Sequence, residues 1–116
     1  EQEFRNDNLP RNLYYSLLML QNGESTSLAV FSIARDLNLL FQRQKDHKLG
    51  DMEKESRTYP ADYNLLLRMI DRLTLSELAS INYYFCRKYE TQMKDYNGFA
   101  EEKNKAQKNF LQYASN

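Results

Sequence analysis

Between Leu75 and Tyr96 the apolar residues keep one helical phase without a reset, and no other feature restricts the folding of this chain as strongly. Stepped at about 100° per residue, Leu75, Leu78, Ala79, Phe85, Cys86, Tyr89, Met93 and Tyr96 fall within an arc of about 120°, the width of one amphipathic helix facing a core. Thr74 and Glu77 make a Thr-x-x-Glu capping box in front of the run, and Asn97-Gly98 supplies a stop behind it. The spacing therefore predicts a single helix over 75–96, about 33 Å long at about 1.5 Å per residue.

The first part of that run, "TLSELA", also has the look of the supporting helix of a helix-turn-helix over 74–94. That alternative, a small DNA-associated regulatory or accessory factor, needs a sharp turn and two helices crossing at about 90–120°. The turn would fall in "INYYF", which holds neither Gly nor Pro. The backbone between Ile81 and Phe85 separates the two readings.

The rest of the chain reads as helix with clear punctuation. Asn8 as N-cap, Pro10 in the first turn and Asn22-Gly23 at the end frame a helix over 9–22. Ser25 or Thr26 caps a second helix over 26–45, in which Ala29, Val30, Ile33, Ala34, Leu37, Leu40 and Phe41 gather on one broad face. Leu28, Phe31 and Leu39 fall on nearly the opposite side, so this helix is either central or in contact with a second chain. Residues 46–59 form a polar linker, long for a compact domain. A helix over 60–73 follows, with Tyr63, Leu66, Leu67, Ile70 and Leu73 as its core face. The last helix, 99–114, carries Phe99, Ala106, Phe110 and Tyr113 on a narrow stripe and should be the most exposed of the set.

These elements predict an all-α chain, a single-domain bundle of about five helices. Composition agrees: three Gly and two Pro are too few for many short strands, and 41% hydrophobic residues are enough for a core. At 116 residues one domain is the default, and burial of about two-thirds of the unfolded surface is within reach. Sixteen basic against sixteen acidic side chains cancel, so no global field draws the chain to phosphate backbones or an anionic membrane. No apolar run approaches the roughly 18–20 residues of a membrane span, and no basic and apolar leader stands at the front. A reducing cytoplasm is the expected setting. The chain begins at Glu1 rather than Met, as a piece of a longer protein would.

Catalytic equipment is scarce. His47 is the sole histidine and lies in the polar linker, so no zinc-type cluster exists. Cys86 sits mid-stripe, where a thiol acts as a small hydrophobe and burial opposes the thiolate. Neither a Glu-x-x-His pattern nor a Gly-rich phosphate loop is present. The chain is therefore read as non-catalytic, with no cofactor and no metal. Paired tyrosines, Tyr14-Tyr15 and Tyr83-Tyr84, point about 100° apart on a helix, one ring inward and one outward. Asn82, alone among apolar positions, must find a hydrogen bond if buried.

More apolar residues are present than one core face per helix can hide. Leu28, Phe31 and Leu39 on the second helix and Ile81 and Tyr84, beside Lys88, on the fourth have the composition of a protein contact site. The expected partner is another protein or a second copy of the chain. Nucleic acid finds no support in the scattered charges.

Overall fold

Helix α2, Ser27–Lys45, is the element against which the other helices of this computed structural model are laid; the structure describes residues 9–46, 68 and 72–114. Four helices lie among those residues: α1 (Leu9–Gln21), α2, α3 (Leu75–Lys88) and α4 (Phe99–Tyr113). The fold is all-α. The linker expected over 46–59 and the helix expected over 60–73 lie outside the described residues, apart from Asp46, Arg68, Arg72 and Leu73. No described helix is long and apolar enough to cross a membrane.

Local chemistry explains where α1 and α2 stop and start. At the end of α1, Glu24 N–H donates to Met19 C=O and Gly23 N–H to Leu20 C=O, the paired bonds of a Schellman motif. That motif puts Gly23 at φ 85°, a left-handed backbone that costs glycine nothing. Thr26 then caps α2, its hydroxyl accepting from Ala29 N–H at 3.2 Å. The seven residues read as the core face of α2 are all buried, as are two polar ones, Asp36 and Asn38. With α1, α3 and α4 all packed against it, α2 is the central helix.

The core forms two clusters along α2. Ile33, Leu37, Leu40 and Phe41 meet Leu13 of α1 and Leu78 and Ala79 of α3. Val30 and Ala34 meet Cys86, Met93, Phe99 and Ala106. Each large apolar side chain so buried contributes about 1.5–3 kcal/mol, which outweighs the weak intrinsic preferences of the helices.

The capping box at the start of α3 is complete: Thr74 Oγ1 accepts from Glu77 N–H at 3.0 Å and Glu77 Oε1 from Thr74 N–H at 2.9 Å. Helix is continuous through Ile81–Phe85, where a helix-turn-helix would turn. The far end differs from expectation, because α3 stops at Lys88 and residues 89–98 are a succession of turns rather than the last turns of a helix reaching 96. Non-local contacts decide this: Gln92 donates to Ser25 C=O at 2.9 Å, Glu90 pairs with Lys103 at 3.1 Å, and Met93 is fully buried. Helical periodicity records which side chains face inward, and folded turns preserve that facing. Asn97-Gly98 accordingly serves a start rather than a stop. Gly98, at φ 93°, is the N-cap position of α4.

Candidate interaction surface

Inside the bundle, between the two apolar clusters, three helices exchange polar bonds. Asn82 lies one turn from Ala79 on one side and one turn from Cys86 on the other, so its amide interrupts the apolar seam of α3. Its Nδ2 donates to Asn38 Oδ1 at 2.5 Å, and Asn38 Nδ2 donates to the Glu102 backbone carbonyl at 3.1 Å and to Glu102 Oε1 at 2.8 Å. α2, α3 and α4 are thereby locked in one register. Cys86 Sγ lies 3.8 Å from Asn82 Oδ1. Burial pushes this thiol up to about 12, with the Glu102 charge adding to the effect, so Cys86 stays a protonated core residue at neutral pH.

The outer side of α3 and α4 is apolar and open. Tyr83 stacks flat on Phe110 of α4, centroids 4.3 Å apart and planes at 13°. Tyr84 meets the same ring edge-on at 5.6 Å and stays 59% exposed. The inward tyrosine of the pair is thus the one lying flat on a neighbouring helix. Ile81, one turn before Tyr84, is 44% exposed, and Leu111, next to Phe110, is 60% exposed. Arg87 fixes the edge of the patch, donating from Nη1 to Tyr83 Oη at 2.9 Å and lying 5.7 Å from the Tyr83 ring.

The other residues expected at an interface are distributed differently. Leu28, near the start of α2, is among the most exposed apolar residues of the described chain. Phe31 is half-buried, its ring 5.2 Å from that of Tyr96 and 5.8 Å from the Arg35 guanidinium. Leu39 is only just exposed and lines a cleft between α2 and α4. Lys88 is exposed, with Nζ 5.7 Å from the Tyr89 ring. Ile81 and Tyr84 are therefore brought together on one face, while Phe31 and Leu39 face other surroundings. Phe110, in edge contact with Tyr84, supports that face and was missed in the sequence. Phe110 lies on the core-facing stripe of its helix, and only the tilt of α4 against α3 shows that its ring also supports Tyr84.

Among the described residues no group of His, Cys, Asp and Glu could hold a metal ion. No family model matches the chain, and no curated protein or solved structure shows significant similarity to it.

Proposed function

We propose that this helical bundle is a non-catalytic interaction or assembly module that binds another protein, or a second copy of itself, through outward apolar residues of α2 and α3. The observation that carries this reading is the exposed pair Ile81 and Tyr84, one turn apart on α3, with Tyr84 packed edge-on against the Phe110 ring that stacks on Tyr83. Aromatic rings held rigid by their neighbours lose little entropy on binding, and apolar residues grouped on one face are the usual centre of a protein contact. The interhelical amide network beneath the patch holds α3 and α4 in fixed relation. Leu28 offers a further apolar contact on α2.

The test compares wild type with Tyr84→Glu and Ile81→Glu, each checked by circular dichroism. Light scattering over a range of concentrations reads self-association, and affinity capture followed by reconstitution with the purified captured protein reads a foreign partner. Loss of either association in both variants supports the module. A wild-type protein that stays monomeric and captures nothing dependent on Tyr84 or Ile81 overturns it.

A further inference from the structure

The outer face of α3 carries four exposed residues in one row: Glu77, Ile81, Tyr84 and Lys88. Steps of four, three and four residues place them within an arc of about 60° at about 100° per residue, the narrow seam along which two helices pack. The row is about 16 Å long at about 1.5 Å per residue. An acid stands at its N-terminal end, a base at its C-terminal end, and the two apolar residues lie between.

The charges at the two ends are unanswered by other charges. Glu77 Oε1 accepts from Thr74 N–H at 2.9 Å, a bond that completes the cap and leaves the carboxylate without a cation. Glu90, two residues beyond Lys88, is taken by Arg87 at 3.4 Å and by Lys103 at 3.1 Å. Neither Glu77 nor Lys88 has an ion pair among the described residues. Acid first and base last also suits the dipole of α3, so the arrangement costs the single chain nothing.

We infer that the occupant of this row is the same row of a second copy, laid antiparallel about a two-fold axis that passes between Ile81 and Tyr84. Turned end for end, the row sets Ile81 against Tyr84 of the second copy and Glu77 against its Lys88, and each pairing occurs twice. Parallel rows would instead oppose Glu77 to Glu77 and Lys88 to Lys88, like charges that repel. Two exposed apolar residues make a small target for a foreign protein, but two-fold symmetry brings four of them into one contact. A formal net charge of zero leaves no long-range repulsion between copies. The inference rests on the reading of Ile81 and Tyr84 as a contact surface and narrows it to self-association through α3.

The experiment is sedimentation equilibrium of the whole chain up to about 1 mM, the affinity range open to a small contact. Wild type should pass from monomer to dimer as concentration rises. Glu77→Lys and Lys88→Glu should each weaken the dimer by about tenfold, because each turns two attractive pairs into two repulsive ones. An equimolar mixture of these two variants should recover the wild-type association, since every row end then meets its opposite charge, and recovery also shows that both variants are folded. Glu77→Gln keeps an oxygen to cap α3 and should weaken the dimer by a smaller factor, about threefold, so its loss is one of charge and not of the cap. A dimer abolished by Ile81→Glu and Tyr84→Glu but unaffected at 77 and 88, or a mixture that fails to recover, would overturn the antiparallel pairing and leave the contact surface standing. The same holds for a monomeric wild type that captures a foreign protein through Ile81 and Tyr84. A monomer that captures nothing would overturn both.

Discussion

Replacing Asp36 by asparagine should stabilise the protein at neutral pH and leave it unchanged in acid. Asp36 is 1% exposed; its Oδ1 lies 3.4 Å from Arg35 Nε, and its Oδ2 has no hydrogen-bond partner. Arg35 is itself partly solvated, which weakens the pair. Burial is the main reason that the carboxyl is raised from 3.8 to about 6; Arg35 opposes the rise and the charge on Glu102 adds to it. Because the folded value lies above the unfolded one, the native state holds this proton more tightly. The group costs nothing below about pH 3.8, its penalty grows as pH rises toward 6, and above that it is constant. The interval from 3.8 to about 6 corresponds to roughly 3 kcal/mol at about 1.4 kcal/mol per pH unit.

An asparagine side chain is uncharged at every pH and close in shape to the protonated acid, so Asp36→Asn should remove most of that penalty. For a domain of this size the gain should appear as a rise of about 10 °C in Tm at pH 7.5, shrinking toward zero near pH 4. The assay is thermal and urea unfolding of both proteins across that range, read as a difference so that the other carboxylates cancel. A variant no more stable than wild type at pH 7.5, or a difference that does not change with pH, would refute the reasoning.

Asn38→Ala should destabilise by about 3 kcal/mol in urea unfolding, since it leaves the Asn82 amide and the Glu102 carboxylate without their shared partner in the core. Gly98→Ala should cost more than Gly23→Ala. Both positions hold a left-handed backbone worth about 1 kcal/mol to glycine, but an added Cβ at Gly98 would lie 3.3 Å from Phe31 Cε1, whereas at Gly23 nothing lies within 4 Å. Equal losses in the two variants would show that the Phe31 contact gives way freely.

The helical character of the chain was legible because apolar spacing and capping chemistry are local. The Thr74–Glu77 box, the Asn22-Gly23 stop and the seven core residues of α2 each follow from residues within a turn or two of one another. The same spacing misplaced the end of α3, because Tyr89, Met93 and Tyr96 keep a helical facing while the backbone that carries them folds into turns. Ser25, Lys103 and Phe31, distant in sequence, hold those turns in place. Asn82 stood out as a polar residue in an apolar stripe, yet its partners, Asn38 and Glu102, come from two other helices.

By itself, then, the sequence determined that the chain is helical, which face of each described helix is apolar, and how several of them begin and end, since these depend on side chains a few residues apart. Tertiary structure alone decided where α3 stops, which tyrosine stacks on Phe110, and which helices supply the partners of Asn82. Those outcomes depend on the crossing of α2, α3 and α4, and a crossing is set by burial summed over distant residues, which no local pattern encodes.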